Sequence, residues 1–253
     1  MNIGLVQYNP AWEDKSENQQ KIISLLEKVS VNSIDLLLFP EMTLTGFTMN
    51  AEKCGEPIFS DSFNFFSGLA VKLNTNIIAG LIEKENENYF NSIVHIDRNG
   101  NLVKKFRKIH LFGYSSEDKH YLRGESPIIT EIDDWKSGLS ICYDLRFPEL
   151  YRHYAKSRVE LIIVAANWPA ERIEHWRLLL RARAIENQCF VMGVNRVGND
   201  PKLFYPGYSS AINPMGKEIF SSTDEGIFIL DIKKEENDAV RNKLPFLKDI
   251  ILI

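Results

Sequence analysis

The sequence predicts an α/β fold in which two layers of β-sheet are covered by helices. A strand, helix, strand order occurs near the N-terminus and again in the second half of the chain, and such βαβ units build parallel sheets. Between these regions, and again near the C-terminus, short strands separated by turn residues predict antiparallel hairpins. No linker-like or low-complexity stretch divides the 253 residues. We therefore expect residues 1–253 to form a single domain.

The first βαβ unit begins at the N-terminus. Residues 3–8 (IGLVQY) are a short apolar strand, and apolar residues at helical spacing follow them. Ser16 is the predicted N-cap of this helix, because Gln19 stands three residues later as in a capping box. Residues 35–39 (DLLLF) are a continuous apolar run, which is typical of a strand buried on both faces. The two strands are therefore predicted to be parallel.

The middle of the chain predicts antiparallel strands and then a loop. Three strand patterns cover residues 76–85, 89–100 and 102–108. The turn at 98–101 (RNGN) contains Asn-Gly, a strong hairpin signal. Residues 113–127 are polar with little apolar periodicity, so we expect them to be a loop.

The second half of the chain repeats the alternating pattern. Strands are predicted at 137–142, 159–167 and 189–197, and helices at 147–157 and 173–188. Pro148 suits the first turn of the earlier helix. The remaining segments predict a closing antiparallel section around the turn NPMG at 213–216.

Composition and charge exclude several classes of function. The formal net charge is −4, whereas nucleic acids and anionic membranes attract proteins with basic surfaces. No apolar stretch approaches the roughly 18 residues of a membrane span, and the N-terminus lacks the regions of a signal peptide. The three cysteines are widely spaced without a CxxC pair, which argues against a disulfide framework or a zinc ribbon. We therefore expect a cytoplasmic protein with no nucleic acid and no membrane as partner.

Cys142 is the first candidate catalytic residue. It stands where the predicted strand 137–142 runs out and a turn begins, and functional groups of α/β sheets gather at such strand ends. Backbone N–H groups near such a turn would favour the thiolate over the thiol. The alternative is a small buried side chain, as we expect for Cys189 in its apolar strand. Cys54 lies in a polar stretch away from any strand end.

A thiol needs a base within reach, and the sequence offers two kinds. The five histidines are at positions 95, 110, 120, 153 and 175, and none directly follows an apolar strand. His110 and His120 flank the polar loop and remain candidates. Glu41 follows the apolar run and Pro40, so it stands at a strand end where a partly desolvated carboxylate suits proton transfer. The alternative for Glu41 is a solvated loop glutamate.

Lys108 is the candidate group for stabilising an oxyanion. It ends a basic run that includes Lys104, Lys105 and Arg107, and it precedes the apolar segment IHLF. An ammonium turned inward at this strand end could neutralise the oxyanion of a tetrahedral intermediate. The alternative is a solvated strand edge, where lysines prevent edge-to-edge pairing.

Other catalytic motifs are absent from the sequence. It contains no G-x-S-x-G, P-loop, G-x-G-x-x-G or H-E-x-x-H motif, and GYSSA at 207–211 lacks the second glycine of a nucleophile elbow. No close grouping of His, Cys and Asp residues suggests a metal site.

Taken in order, Glu41 after LLLFP, Lys108 in RKIHLF and Cys142 in ICYDLRFPE resemble the nitrilase (carbon–nitrogen hydrolase) superfamily. The resemblance extends from IGLVQY to about GIFILDI, nearly the whole chain. The segments PEMTLTGF, CYDLRFPELYR, ANWPAERIEHWRLLLRARAIENQ and NRVG are most similar to the omega-amidase branch.

This resemblance implies a four-layer αββα sandwich, a cofactor-free thiol amidase and a homodimer that buries helices against its partner. It assigns Cys142 as nucleophile, Glu41 as general base and Lys108 as oxyanion stabiliser. It also implies a second glutamate in the loop after the lysine. Glu117 fits that position, whereas Glu125 in the same loop fits it less well.

The resemblance further implies the reaction. Cys142 attacks the amide carbonyl, Lys108 and the backbone N–H of Tyr143 hold the oxyanion, and water releases the acid from a thioester. Omega-amidases hydrolyse the terminal amide of 2-oxoglutaramate or 2-oxosuccinamate. We expect Asn167 and Trp168 to line the pocket and Phe47 to wall it.

The substrate implied in this way carries a carboxylate, so a cation should receive it. Arg146, Arg172, Arg181 and Arg183 are the candidates, although Arg181 and Arg183 lie near Glu186 and also predict a structural ion pair. Two alternatives stay open. One is another small-amide hydrolase of the superfamily, such as a deaminated-glutathione amidase, and the other is a non-catalytic binding protein on the same fold.

Overall fold

The computed structural model describes residues 1–29 and 34–252 and contains two six-stranded mixed sheets. The first sheet consists of β1 (Asn2–Gln7), β2 (Leu36–Leu38), β3 (Asn76–Glu85), β4 (Asn88–Ile96), β5 (Leu102–Arg107) and β14 (Gly226–Asp231), in the spatial order β14-β1-β2-β3-β4-β5. The second consists of β6 (Ile129–Ile132), β7 (Trp135–Ile141), β8 (Leu161–Ala165), β9 (Phe190–Val194), β12 (Ser209–Ile212) and β13 (Glu218–Ser222), in the order β13-β12-β9-β8-β7-β6. A two-stranded ribbon is formed by β10 (Val197–Asn199) and β11 (Phe204–Pro206).

The helices are α1 (Lys15–Leu26), α2 (Ala51–Cys54), α3 (Asp61–Leu73), α4 (Pro148–Lys156), α5 (Ile173–Asn187) and α6 (Lys234–Lys243). Strands β1, β2 and β3 are parallel to one another, as are β7, β8 and β9, so both predicted βαβ regions are confirmed. The remaining pairs within the two sheets are antiparallel. The hairpin turn between β4 and β5 also forms where Asn-Gly predicts it, with Gly100 at a φ of +82°.

The layers follow from the alternation of side chains along the strands. Leu36 and Leu38 of β2 lie in a hydrophobic cluster that continues into the second sheet and onto α4 and α5, where Tyr151 and Leu180 belong to it. Leu37, between them, faces the other way into a second cluster.

That second cluster lies under α1 and α3. Ile22 of α1 and Phe66 of α3 pack there against Leu37 and Ile77 of the first sheet. The order of layers is therefore helices, first sheet, second sheet, helices, which is the four-layer αββα sandwich predicted from the sequence.

The start of α1 corrects one local prediction. Its N-cap is Asp14, whose Oδ1 accepts a hydrogen bond from the backbone N–H of Glu17 at 2.9 Å. Ser16 lies inside the first turn instead. Both residue types cap helices well, and the apolar pattern, which starts only at Ile22, does not show that the helix begins at Lys15.

Several elements were not predicted. They are the helices α2, α3 and α6 and the strands β6, β10 and β11, and Cys54, expected in a loop, ends the short helix α2 and is buried. Cys189 is fully buried just before β9, as predicted. No helix within residues 1–29 and 34–252 is long and apolar enough to cross a membrane.

Candidate active site

Three strand ends bring polar side chains to one edge of the sandwich. Glu41 follows β2, Lys108 follows β5 and Cys142 follows β7. Asn167 lies two residues beyond β8, the parallel neighbour of β7. Because the carboxyl ends of parallel strands meet at one edge of a sheet, residues distant in sequence converge there.

Cys142 begins a 3₁₀ turn that extends to Arg146, and its backbone has a φ of +45°. A residue other than glycine in this left-handed region carries a backbone strain of about 1–3 kcal/mol, and it occurs where the surrounding structure holds the backbone in place. At Cys142 the hydrogen bonds of Asp144 hold the backbone. Its buried carboxylate accepts from the backbone N–H of Ile141 at 3.0 Å and from the backbone N and Nδ1 of His110 at 2.8 Å each.

Glu41 is 1% exposed and its carboxylate is fully hydrogen-bonded. Oε1 accepts from Lys108 Nζ at 2.9 Å and from Asn91 Nδ2 at 2.8 Å, and Oε2 accepts from the backbone N–H of Asn167 at 2.9 Å. The side chain of Asn167 in turn donates to the backbone oxygen of Glu41 at 2.7 Å. The carboxylate is thus held from three segments of the chain.

Lys108 is buried between two carboxylates. Besides Glu41, its Nζ donates to Glu117 Oε1 at 3.0 Å and Oε2 at 2.9 Å. Burial by itself lowers the pKa of Lys108, but the charges of Glu117 and Glu41 outweigh it, and the pKa is raised above its ordinary value. The side chain is therefore an ammonium at neutral pH.

Glu117 reaches this cluster from the polar loop. It stands in a short 3₁₀ turn, is fully buried, and accepts from the backbone N–H of Phe112 at 2.6 Å and from Asn91 Nδ2 at 2.8 Å. Glu125, its competitor in the sequence, is exposed. The loop thus brings Glu117, and not Glu125, to Lys108.

The Cys142 thiol is protonated at rest. Burial and the nearby Glu41 charge raise its pKa well above the ordinary value, and Lys108 opposes them only in part. Desolvation and the charge of Glu41 thus outweigh the stabilisation of a thiolate that backbone N–H groups would give. The sulfur contacts the carbonyl oxygen of Asn167 at 3.9 Å, and in the described ranges it makes no direct hydrogen bond to Glu41.

Within the described ranges none of the five histidines is bonded to the thiol. His110 bonds Asp144 and stacks on Phe147, with ring centroids 3.9 Å apart. His95 lies between Thr130 and Asn76. His120 is exposed and lines the cavity into which Cys142 opens, whereas His153 and His175 are in α4 and α5. Among the described residues none of the five hydrogen-bonds Cys142. A Cys-His pair is therefore not formed.

A cavity of about 860 Å³ opens at this edge of the sandwich. Nine of the residues singled out from the sequence line it, namely Phe47, Lys108, His120, Cys142, Tyr143, Arg146, Asn167, Trp168 and Arg172. Glu41 and Glu117 do not line the cavity, but both hydrogen-bond Lys108, which does. Aromatic side chains and many polar and charged ones form the lining, so the cavity suits a polar small molecule.

The four arginine candidates separate into two groups. Arg146 and Arg172 line the cavity. Arg181 instead donates to the carbonyl of Gly216, and Arg183 is buried and bonds Leu145 and Glu186, as a structural role predicts.

Arg146 is the less committed of the two cavity arginines. Its guanidinium lies 4.9 Å from the ring centroid of Trp168, and Nη2 is 3.2 Å from His175 Nδ1. Arg172 pairs with Glu171 at 3.2 Å. No carboxylate within the described ranges pairs with Arg146, so its charge is free to receive an anion from the cavity.

Sequence reasoning missed Asn91 and Asp144. Asn91 is a fully buried amide in β4, and Asp144 is a fully buried carboxylate in the turn after Cys142. The available signals were an asparagine inside a predicted strand and an acidic residue two positions after the candidate nucleophile. No group of three or more His, Cys, Asp or Glu side chains in the described part of the chain could hold a metal, and the absence of a metal or cofactor stays a prediction.

Comparison with known proteins agrees with this geometry. The sequence matches the carbon-nitrogen hydrolase family over residues 2–242. It is 33% identical over 251 residues to the 2-oxoglutaramate amidase of Bacillus subtilis, covering 98% of this chain and 96% of that protein. It is 36% identical over 225 residues to omega-amidase YafV of Escherichia coli K12, covering 88% and 85% of the two chains.

Among solved structures, a CN-hydrolase superfamily protein of Xanthomonas campestris with an arsenic adduct in its active site superposes with a TM-score of 0.95 at 30% identity. The match covers 100% of this chain and 98% of that one. The fold and the sequence match therefore define an enzyme of the hydrolase class. The chain belongs to the carbon–nitrogen hydrolase family.

Proposed function

We propose that the protein hydrolyses the terminal amide of a small 2-oxo acid, such as 2-oxoglutaramate or 2-oxosuccinamate, to the 2-oxo dicarboxylate and ammonia. The observation that carries this proposal is the convergence of Cys142, Lys108 and Glu41 from three strand ends, with the sulfur and the ammonium both on the cavity wall. The relatives named as 2-oxoglutaramate amidase and omega-amidase support the choice of amide.

The first half of the reaction forms a thioester. The Cys142 sulfur attacks the amide carbonyl while its proton passes to Glu41. Because the pKa of the thiol is raised, the attack needs Glu41 as a base for this proton. The negative charge that develops on the carbonyl oxygen is stabilised by Lys108 Nζ and the backbone N–H of Tyr143.

The second half releases both products. Glu41 gives the proton to the departing nitrogen, so that ammonia leaves and the acyl group stays on sulfur. The same carboxylate then takes a proton from water, and the hydroxide oxygen attacks the thioester carbonyl. The C–S bond breaks, Glu41 returns the proton to the sulfur, and the acid product leaves with the thiol restored. Glu117 holds Lys108 in place through both steps, and no cofactor is required.

Substrate orientation is the task of the remaining cavity residues. We assign Arg146 to the substrate carboxylate, because its guanidinium faces the cavity without a carboxylate partner. Asn167 and Trp168 bound the site next to the sulfur, and Phe47 lies over Lys108 with 5.1 Å between the ring centroid and Nζ. These walls exclude water from the oxyanion, which strengthens its interaction with Lys108.

A second candidate is a larger amide of the deaminated-glutathione type. The cavity of about 860 Å³ lies in the range that drug-sized ligands occupy, so it has more room than a five-carbon amide needs. A non-catalytic binding protein is disfavoured, because a strained cysteine and three buried charged groups are costly to retain without chemistry.

A substrate panel tests the proposal. Ammonia release from 2-oxoglutaramate, 2-oxosuccinamate and a deaminated tripeptide is measured for the wild type and Cys142→Ala. We expect the highest kcat/KM with a 2-oxo acid amide and no release by Cys142→Ala. Preference for the tripeptide would select the second candidate, and turnover that survives Cys142→Ala would remove the mechanism.

We also propose a homodimer and a cytoplasmic location. The dimer is supported by α5, which exposes Leu178 and Ile185 to solvent by 61% and 53%. The location is supported by the three cysteines, all of which are unpaired. Sedimentation of the purified protein tests the first, and fractionation of the producing cells tests the second.

A further inference from the structure

Asn91 occupies an unusual position between the two buried carboxylates. Its Nδ2 donates to Glu41 Oε1 and to Glu117 Oε1, each at 2.8 Å. The same two oxygens also accept from Lys108 Nζ, at 2.9 and 3.0 Å. The four atoms therefore form a closed ring of hydrogen bonds. Asn91 Nδ2 and Lys108 Nζ lie opposite each other in it, and Oε1 of Glu41 and Oε1 of Glu117 lie between them.

The orientation of the amide follows from its neighbours. Both groups that face Asn91 are carboxylate oxygens, which can only accept while they are ionised, so the amide must present its nitrogen to them. Its own oxygen, Oδ1, is buried without a hydrogen-bond partner. Oδ1 of Asn167 in the same site is also unpartnered, so the two donated hydrogen bonds, and not the orphaned oxygen, show what Asn91 contributes.

The packing of the cluster shows what the amide contributes. The side chains of Glu41, Glu117 and Lys108 are all fully buried, so the acceptor sites of both carboxylates must be filled from within the protein. Lys108 donates to Glu41 Oε1 and Glu117 Oε1, and Asn91 donates a second hydrogen bond to each of these oxygens. These bonds hold Glu41 in the position from which it can accept the thiol proton.

We propose that Asn91 is a positioning residue for the reaction, which fixes the carboxylates of Glu41 and Glu117 around Lys108. It does not line the cavity and does not touch the substrate. This inference rests on the proposed roles of Glu41 and Cys142, and not on the identity of the amide.

The test uses Asn91→Leu, which keeps the approximate shape and removes both donors and the orphaned oxygen. Because Glu41 and Glu117 each lose a donor, the variant should be less stable than the wild type, and the comparison is made on the folded protein. We expect kcat to fall by about 10–100-fold while KM changes little, because two hydrogen bonds to charged groups are lost outside the substrate pocket.

The decisive readout is the rate of Cys142 alkylation by iodoacetamide at neutral pH, in which the S–C bond forms, iodide leaves and the thiol proton passes to the base. In Asn91→Leu this rate should fall by about 10–100-fold, because Glu41 loses the hydrogen bond that holds it where it accepts the thiol proton. Alkylation needs no 2-oxo acid amide. A wrong substrate assignment would therefore leave this result interpretable.

Asn187→Leu is the matched control. Asn187 is also buried, also has an unpartnered Oδ1, and donates to the carbonyl of Arg183 in α5, away from Glu41 and Glu117. The alkylation rate of Asn187→Leu should match the wild type, with Cys142→Ala giving the background. Asn91→Ala provides the same test if the leucine variant does not fold. An unchanged alkylation rate together with a kcat within about twofold of wild type would show that Asn91 only fills space.

Discussion

Lys108 Nζ and Glu41 Oε1 are 2.9 Å apart, and neither side chain has any exposed surface. The pair joins the end of β5 to the end of β2, so the geometry of the sheet fixes the distance. Each member of a charge pair this deeply buried depends on the other, because removing one of them leaves an uncompensated buried charge that destabilises the fold. The consequences for stability and for catalysis can be measured separately.

Replacing Lys108 should destabilise the fold. Lys108→Met leaves Glu41 and Glu117 adjacent without a cation, and we expect the free energy of unfolding to fall by about 3–5 kcal/mol. Urea unfolding at neutral pH measures this. Lys104→Met, on the exposed edge of the same strand, should change stability by less than about 0.5 kcal/mol. Equal effects of the two substitutions would show that the buried charge cluster has no special importance.

Removing the carboxylate base should affect catalysis more than binding. Glu41→Gln keeps the shape of the side chain but cannot accept the thiol proton, so kcat should fall by about 10²–10⁴-fold with KM little changed. Steady-state kinetics on the best 2-oxo acid amide measures this. Glu125→Gln, in the exposed part of the loop, serves as the control. A Glu41→Gln enzyme that retains normal kcat would require another base.

Arg146 should govern recognition of the substrate carboxylate. We expect Arg146→Met to lower kcat/KM for 2-oxoglutaramate by about 10–100-fold, mainly through KM, because a charge-assisted hydrogen bond to the carboxylate is lost. The rate with an uncharged amide of similar length should change little. Arg181→Met, whose guanidinium bonds Gly216 away from the cavity, is the control. Equal losses with charged and uncharged amides would place the substrate carboxylate elsewhere.

His95 should make stability depend on pH. Burial lowers the pKa of His95 from 6.5 to about 4, an effect that Asp97 and Asp133 oppose only in part. The unfolded chain therefore takes up a proton near pH 6.5, whereas the folded protein does so only near pH 4. The stability contribution of neutral His95 is complete above pH 6.5 and is lost as the pH falls toward 4, by on the order of 3 kcal/mol.

Urea unfolding across this pH range measures the effect. His95→Gln should flatten the slope, and His120→Gln, an exposed substitution, should leave it as in the wild type. An unchanged slope in His95→Gln would assign the acid sensitivity to other groups.

The sequence predicts the strand ends well because the information is local. The apolar runs before Glu41 and Cys142 show both a buried strand and the point at which it stops. Helix α3 and strand β6 were not predicted, since their packing faces depend on a sheet that the local pattern does not reveal.

The contacts within the site could not be predicted in the same way. Asn91 is separated by 50 residues from Glu41 and by 26 from Glu117, and nothing near it in sequence indicates that it meets both. The pKa of the Cys142 thiol could not be predicted for the same reason. The turn at Cys142 can be predicted from the local sequence. The desolvation and the charge of Glu41, which raise the pKa of the thiol, come from segments that are distant in sequence.

The most direct test of the account is mass spectrometry of the enzyme quenched during turnover of 2-oxoglutaramate. The account predicts an acyl adduct on the peptide that contains Cys142, equal in mass to the substrate less ammonia, and its absence from Cys142→Ala. Turnover without any adduct on Cys142, or an adduct on Cys54 or Cys189 instead, would contradict it.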